Sequence, residues 1–127
     1  MNGKKILIVD DNDKSRKLMR VIFQKSGYAT VEAKNGKEGI ETARMERPHL
    51  ILMDVRMPVM DGIMATRALK DDPATKDIPV IITTSSAMKG DHDKIASEAR
   101  CDYYITKPLD IQSLLDMAKK ILGGKET

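Results

Sequence analysis

Residues 50–54 of this chain read Leu-Ile-Leu-Met-Asp, an apolar run that stops at a single carboxylate. Three other short runs stop in the same way at polar residues: 6–9 before Asp10 and Asp11, 80–82 before Thr83, Thr84 and Ser85, and 103–106 before Lys107 and Pro108. Short apolar runs that alternate with helical patterns are typical of buried parallel strands. The chain is therefore predicted to be an α/β protein with a parallel sheet.

Helix signals separate these runs along the whole chain. The predicted strands cover 6–9, 28–33, 49–54, 79–82 and 102–106. The predicted helices run from Asn12 or Asp13 to Ser26, from Lys37 to Glu46, from Asp61 to Lys70, from Asp91 to Ala99 and from Asp110 to Leu122. In the first helix the predicted apolar stripe consists of Leu18, Val21 and Ile22, with Met19 and Phe23 beside it. Alternating strands and helices place helices on both faces of one doubly wound sheet. We expect one domain over residues 1–124 and a frayed tail over 125–127.

The composition is that of an ordinary globular domain, with 127 residues of which 41% are hydrophobic and 32% are charged. No stretch has the apolar length of a membrane span and the N-terminus has no signal-peptide pattern, so we expect a cytoplasmic protein without membrane contact. The single cysteine, Cys101, excludes an internal disulfide and is interpreted as a small buried residue. The net charge of +3 comes from scattered residues and tryptophan is absent, so no direct binding of nucleic acid is expected.

The carboxyl ends of the predicted strands bring together residues that can handle phosphate. Ligands bind beyond these ends in an open parallel sheet, so Asp10, Asp11 and Asp54 should lie at one edge. Carboxylate oxygens suit Mg²⁺, which takes one or two carboxylates and keeps several waters. We expect Asp11 and Asp54 to bind the ion directly and Asp10 to bind it through a water. The loop after Asp54 would add a backbone carbonyl, that of Arg56.

Asp54 is the predicted phosphoacceptor, because a reachable carboxylate can act as a nucleophile and form an aspartyl phosphate. Lys107 can place an ammonium group on a phosphoryl oxygen, and Thr84 can donate a hydrogen bond to another. Each of these residue types alone is more often a helix cap, a turn residue or a surface corner. Their combination at four strand ends of one sheet favours phosphoryl transfer, which depends mainly on positioning and charge.

Four stretches resemble the receiver domains of bacterial response regulators, the phosphoacceptor proteins of two-component signalling. They read ILIVDDND (6–13), HLILMDVRMPVMDG (49–62), IPVIITTSSAMKGD (78–91) and CDYYITKPLD (101–110). The resemblance covers essentially the whole chain and is to the stand-alone type found among chemotaxis and cell-division regulators. It implies a flavodoxin-like sheet of five strands in the order 2-1-3-4-5, with five helices.

The same resemblance implies roles for individual residues. Phosphorylation would occur on Asp54, with a metal-binding pair at Asp10 and Asp11 and a phosphate-binding Lys107 whose peptide bond to Pro108 is cis. The switch residues would be Thr84 (rather than Thr83) and Tyr104, and the residues that modulate phosphate lifetime would be Arg56, Ser85 and Ser86. Phosphorylation would shift the conformation of the surface formed by the fourth helix, the fifth strand and the last helix.

The resemblance also implies the partners. The phosphoryl donor would be a histidine kinase or a histidine phosphotransfer protein, and the target of the altered surface would be a further protein. The chain would catalyse only its own phosphorylation and dephosphorylation, with Mg²⁺ as cofactor, and would turn over no external substrate. We expect a monomer or a weak dimer.

Three features depart from the family pattern. Arg100 stands where relatives usually have glycine, and Gly39 lies inside a predicted helix at a cost of about 1 kcal/mol relative to alanine. The sequence pI of about 9.0 is high for a family that tends to be acidic. Neither residue belongs to the predicted site.

Three other functions remain as alternatives. A hydrolase of the haloacid dehalogenase type needs a second aspartate two residues after its nucleophile, where this chain has Arg56. A flavin-binding electron carrier needs a phosphate loop after the first strand, where the acidic residues of 10–13 would repel a phosphate. A DNA-binding transcription factor would need an output domain, which a longer parent protein could carry.

Overall fold

The computed structural model describes residues 3–55, 60–84, 102–106 and 110–123. In chain order these residues form β1 (Lys5–Val9), α1 (Asp13–Lys25), β2 (Ala29–Ala33), α2 (Gly36–Glu46), β3 (Leu50–Asp54), α3 (Gly62–Asp71), β4 (Val80–Thr84), β5 (Tyr103–Thr106) and α4 (Ile111–Ile121). A bilayer span needs about 20 residues of helix. No described helix combines that length with sufficient apolarity, the longest being α1 with 13 residues.

All five strands pair in parallel in the order β2-β1-β3-β4-β5, which confirms the predicted doubly wound sheet. The central pair is β1 with β3, in a register that sets Ile6 beside Leu50 and Val9 beside Met53. Because the last residue of β1 is paired with the next-to-last residue of β3, both strands end at the same edge of the sheet. The residues that follow them are therefore neighbours in space.

A hydrophobic layer covers each face of the sheet. The α2/α3 layer contains Leu7, Val9, Ile51, Met53 and Ile82 of the sheet with Ala43 and Leu69 of the helices. The α1/α4 layer contains Ile6, Ile8, Leu52 and Ile81 of the sheet with Phe23 and Leu114 of the helices. All of these side chains are at most 3% exposed, and burial of each large aliphatic one contributes about 1.5–3 kcal/mol. The alternation of side chains along each strand supplies both layers at once.

Side-chain caps begin all four described helices. The capping oxygens of Asn12, Asn35, Asp61 and Asp110 accept hydrogen bonds from the backbone N–H groups of Ser15, Glu38, Met64 and Gln112. Such caps satisfy N–H groups that the first turn of a helix leaves without a partner, at a gain of about 1 kcal/mol each. They confirm the predicted caps at Asp61 and Asp110, and they select Asn12 over Asp13.

The observed strand boundaries agree best with the predicted ones at the carboxyl edge of the sheet. The carboxyl ends of β1, β2, β3 and β5 fall at the predicted residues, and β4 extends to Thr84. That extension follows from pairing, because Thr83 lies in register with Asp54. At the other edge, β2, β3, β4 and β5 each begin one residue later than predicted, and β1 begins one residue earlier.

The predicted apolar stripe of α1 was right at Ile22, which packs against the α1/α4 layer, and wrong at Leu18. The buried residues of this helix are Arg16, Met19 and Phe23, whereas Leu18 is 52% exposed. The helix is oriented by Phe23, which packs between the sheet and α4 and makes an edge-to-face contact with Tyr28 at 5.9 Å between ring centroids. Residues at spacings of three and four from Phe23 then face the sheet, and Leu18 falls outside that stripe.

Two backbone positions explain features of α2. A Cβ on Gly39 would lie 3.0 Å and 3.1 Å from the two Cγ atoms of Val9, so glycine allows the close approach of α2 to β1. The helix ends at Arg47, which has φ 46° and whose N–H donates to the carbonyl of Ala43 at 2.9 Å. A non-glycine residue in this left-handed conformation costs about 1 kcal/mol.

Several predictions fall on residues outside the described ranges. They are the helix from Asp91 to Ala99, the burial of Cys101, the backbone at Arg100, the cis peptide bond between Lys107 and Pro108, and the tail 125–127. The division of the chain into a domain over 1–124 and a frayed tail stays a prediction as well.

Gly62, the first residue of α3, lies against the end of β3. Its N–H donates to the carbonyl of Val55 at 2.9 Å. A Cβ at this position would overlap the carbonyl oxygen of Asp54 and lie 2.9 Å from Cα of Val55. Both clashing groups are backbone atoms, which cannot move away by rotation as a side chain can. Glycine is therefore required for α3 to begin this close to β3.

Replacement Gly62→Ala should therefore lower the free energy of unfolding by about 2 kcal/mol, because overpacking against backbone outweighs the gain in helix propensity. Urea unfolding followed by far-UV circular dichroism measures this. Met64→Ala on the same helix is the control, since Met64 is 59% exposed and its loss should change the stability by less than about 0.5 kcal/mol. Equal stability of Gly62→Ala and wild type would contradict the close approach of α3.

Two buried threonines, Thr66 within α3 and Thr75 just beyond it, differ in their hydrogen bonding. Thr66 is 0% exposed and, among the described residues, its hydroxyl has no hydrogen-bond partner. Thr75 is 1% exposed, and its hydroxyl donates to the carbonyl of Leu69 at 2.7 Å. Comparing the two residues therefore separates the free-energy cost of burying a hydroxyl from the free energy gained by its hydrogen bond.

We expect Thr66→Val to raise the free energy of unfolding by about 1 kcal/mol and Thr75→Val to lower it by about 1–2 kcal/mol. The same substitution is made at both positions, so each variant is the control of the other in one series of urea unfolding curves. A loss of stability in Thr66→Val as large as that in Thr75→Val would mean that the Thr66 hydroxyl is bonded.

Candidate functional site

Three carboxylates meet at the carboxyl edge of the sheet. One oxygen each of Asp10, Asp11 and Asp54 can be chosen so that all three lie within 4.8 Å of one another. Asp54 is the last residue of β3, and Asp10 directly follows β1. The sheet register therefore brings together the three acids that the sequence predicted to be neighbours.

The three acids differ in their exposure. Asp10 and Asp54 are each 7% exposed, whereas Asp11 lies open to solvent. Like charges this close raise one another's free energy. The arrangement suits a divalent cation, since hard carboxylate oxygens are the ligands that Mg²⁺ prefers and the open side leaves room for waters or a phosphoryl group. The donor set therefore fits the predicted magnesium ion.

Asp10 is held at several points. Its N–H donates to the carbonyl of Ala33 at 3.1 Å, and its Oδ1 accepts from the N–H of Asn12 at 2.9 Å. Its own carbonyl accepts from Nη1 of Arg16 at 2.8 Å. These bonds tie the end of β1 to β2 and to the start of α1.

Arg16 was missed by the sequence analysis. Burial by itself lowers the pKa of its guanidinium, but hydrogen bonds to Asp13 and Glu32 outweigh this and raise the pKa above its usual value. A signal for it exists in the sequence, because Arg16 lies three residues before Met19 and seven before Phe23, on the buried face of α1. A charge on an apolar face needs partners, and here they lie beside the acid cluster.

The predicted switch residues lie on one face of the sheet. Tyr104 is in register with Ile82 and packs against the α2/α3 layer. Thr84, 2% exposed, is two residues after Ile82 and so points to that same face. Thr83 is in register with Asp54 and points to the opposite face. The sheet therefore puts Thr84, and not Thr83, on the face that carries Tyr104.

The other predicted site residues lie outside the described part of the chain. These are Arg56, with its proposed carbonyl ligand, Ser85, Ser86 and Lys107. The strands that lead to them end at the same edge as Asp54, since β4 ends at Thr84 and β5 ends at Thr106. Their roles stay predictions.

Comparison with known proteins agrees with this architecture. The profile of the Response regulator receiver domain family matches residues 6–119. The polar-differentiation response regulator DivK of Brucella anthropi is 42% identical over 120 residues, which is 94% of this chain and 97% of that protein.

Solved structures with the same fold include two receiver domains of histidine kinases. That of a signal transduction histidine kinase from Syntrophus aciditrophicus superposes with a TM-score of 0.89 at 36% identity, covering 98% of this chain and 95% of the other. That of a sensor histidine kinase from Pseudomonas aeruginosa, with a magnesium ion in its active-site cleft, has a TM-score of 0.87 at 28% identity and covers 95% and 98% of the two chains. With a family profile over most of its length and a relative at 42% identity, this chain belongs to the response regulator receiver domain family.

Proposed function

We propose that this receiver domain is a phosphorelay switch that accepts a phosphoryl group on Asp54 from a histidine kinase or a histidine phosphotransfer protein. The observation that carries the proposal is the meeting of Asp10, Asp11 and Asp54 within 4.8 Å at the carboxyl edge of the sheet. Asp54 is the member of this cluster that ends the central strand β3, where a phosphoryl donor can reach it.

In the transfer step, a carboxylate oxygen of Asp54 attacks phosphorus while the bond from phosphorus to the donor's imidazole nitrogen breaks. The nitrogen keeps the electron pair and takes up a proton, and Asp54 becomes an acyl phosphate. Such transfers need alignment and charge neutralisation more than covalent assistance. Lys107 would supply an ammonium group to one phosphoryl oxygen.

Asp11 and Asp54 would hold Mg²⁺ directly, Asp10 would hold it through a water, and the carbonyl of Arg56 would complete the protein ligands. A bound ion supplies positive charge to the phosphoryl oxygens. The Pseudomonas aeruginosa receiver domain, which has a magnesium ion in its active-site cleft, supports the choice of Mg²⁺.

Thr84 and Tyr104 would convert phosphorylation into a change of surface. The Thr84 hydroxyl would donate to a phosphoryl oxygen on Asp54, and the ring of Tyr104 would move inward on the same face of the sheet. The surface formed by the predicted helix 91–99, β5 and α4 would then favour a different protein partner, which is a shift between two populations.

The proposed cycle is closed by the domain itself, which removes its own phosphate by hydrolysis and turns over no external substrate. Arg56, Ser85 and Ser86 would set the lifetime of the acyl phosphate. We place this cycle in the cytoplasm and expect a monomer or a weak dimer with no direct contact to DNA.

Acetyl phosphate should phosphorylate the wild type in the presence of Mg²⁺, since a small donor needs only the site itself. Intact-protein mass spectrometry should show a gain of one labile phosphoryl group. The gain should vanish with EDTA and in Asp54→Asn. Asp61→Asn is the matched control, because asparagine caps α3 as well as aspartate does and leaves the acid cluster intact.

The controls decide between acceptors. A gain that survives in Asp54→Asn would mean that another residue accepts the phosphoryl group. If Asp61→Asn also fails to gain the mass of a phosphoryl group, the effect of Asp54→Asn is not specific to the acid cluster. No gain in wild type with either acetyl phosphate or a phosphorylated histidine phosphotransfer protein would overturn the proposal.

The acid cluster should also oppose folding when no cation is present. In EDTA, Asp54→Asn should raise the free energy of unfolding by at least about 1 kcal/mol, because one of three neighbouring like charges is removed. Added Mg²⁺ should stabilise the wild type by linkage and Asp54→Asn much less. Far-UV circular dichroism in urea suits a chain without tryptophan, and lower stability of Asp54→Asn than of wild type in EDTA would contradict the proposed repulsion.

A further inference from the structure

Arg16 of α1 is a buried arginine to which phosphoryl transfer itself assigns no task. Its side chain is 10% exposed, although its carboxylate partners are more open, Asp13 at 83% and Glu32 at 28%. Exposed ion pairs contribute little to stability, so the pair with Asp13 does not account for the burial of the arginine. The buried partner is the backbone carbonyl of Asp10, to which Nη1 donates at 2.8 Å.

The carbonyl of Asp10 belongs to the peptide group that joins Asp10 to Asp11. This group is planar, so a bond that fixes its oxygen also fixes the direction in which the chain continues to Asp11. Asp11 is the exposed member of the acid cluster. The hydrogen bond from Arg16 therefore acts on the orientation of the Asp10–Asp11 peptide group and does not involve either carboxylate.

Two further hydrogen bonds hold Asp10 at other atoms. The N–H of Asp10 donates to the carbonyl of Ala33, and its Oδ1 accepts from the N–H of Asn12. The carboxylates of the cluster lie close enough to repel one another. The bond from Arg16 holds the peptide at its carbonyl against such repulsion.

A planar guanidinium suits this position because it donates in several directions at once. While Nη1 binds Asp10, Nε donates to Glu32 of β2 at 3.0 Å and Nη2 donates to Asp13. Arg20, one turn further along α1, donates to the other oxygen of Glu32 at 2.9 Å. The ion pairs thus anchor the guanidinium against β2 while one nitrogen holds the Asp10 peptide.

We propose that Arg16 is a positioning residue for the magnesium-binding acid pair, which sets the orientation of the Asp10–Asp11 peptide and thereby the place of Asp11 beside Asp54. The inference rests on the proposed function of this site and names the residue that orients its ligands. Partners of this kind, one step removed from the metal, typically change metal affinity by about 10–100-fold when they are lost.

The test compares Arg16→Met with Arg20→Met in the full chain. Both variants remove a guanidinium that binds Glu32, but within residues 3–55 Arg20 makes no hydrogen bond to Asp10. Two readouts are taken by ¹H–¹⁵N NMR: the Kd for Mg²⁺ from titration with MgCl₂, and the hydrogen-exchange rate of the Asn12 amide in EDTA. Measurements are made at a temperature where circular dichroism shows every variant folded.

Arg16→Met should raise the Kd for Mg²⁺ by about 10-fold and speed exchange at Asn12, whereas Arg20→Met should stay within about twofold of wild type in both. Arg16→Lys keeps the charge beside Glu32 and Asp13 but loses the planar fork. It should lose several-fold in affinity, and it serves as the test if Arg16→Met does not fold.

The outcomes separate this inference from the proposed function. If wild type binds Mg²⁺ and folded Arg16 variants match it in both readouts, the inference is overturned and the proposed function stands. Equal losses of Mg²⁺ affinity in Arg16→Met and Arg20→Met would also overturn it. The ion pairs with Glu32 would then stabilise the whole region, and Arg16 would have no specific effect on the Asp10–Asp11 peptide. If wild type itself binds no Mg²⁺, the proposed function fails, and exchange at Asn12 in EDTA still decides whether Arg16 holds the peptide.

Discussion

The parallel pairing of β1 with β3 is the constraint on which the rest of the structure depends. It brings three carboxylates within 4.8 Å. Like charges this close repel one another, and the exposure of Asp11 to solvent weakens this repulsion. The eight side chains from Ile6 to Val9 and from Leu50 to Met53 are all at most 3% exposed. Their burial contributes far more than this repulsion removes, so the apolar strands hold the acids together.

This constraint explains where the helices begin. In a sheet of this type each helix that follows a strand starts near the carboxyl edge, so its positive N-terminal end faces that edge. The start of α1 at Asp13 comes just after the acid pair, and Gly62 lets α3 begin against the last residues of β3. Arg16 adds a side-chain contact to this backbone arrangement. Among the described residues, the N-terminal end of α1 and the guanidinium of Arg16 thus lie beside three carboxylates that suit a cation.

Prediction from sequence succeeded where the signal is local and failed where packing decides. The carboxyl ends of β1, β2, β3 and β5 and the caps at Asp61 and Asp110 were predicted correctly, because run length and capping chemistry act over a few residues. The face of α1 was predicted wrongly at Leu18, because apolar residue types occur on both sides of the helix and only Phe23 against the sheet shows which side is buried. Arg16 was missed for a related reason, since two of its partners, Glu32 of β2 and the carbonyl of Asp10, lie outside α1.

The sequence by itself determined the alternation of strands and helices, the placement of an acid at each of two strand ends, and the chemistry that such acids can perform. Only the tertiary structure decided which atoms meet. The packing of the sheet decides that Thr84, and not Thr83, lies on the face that carries Tyr104. The approach of α2 to Val9 explains Gly39, and the path of α1 over β2 brings Arg16 to the carbonyl of Asp10. These contacts join residues distant in sequence or depend on a helix's rotation about its axis. Both are set by packing in three dimensions, which no local pattern encodes.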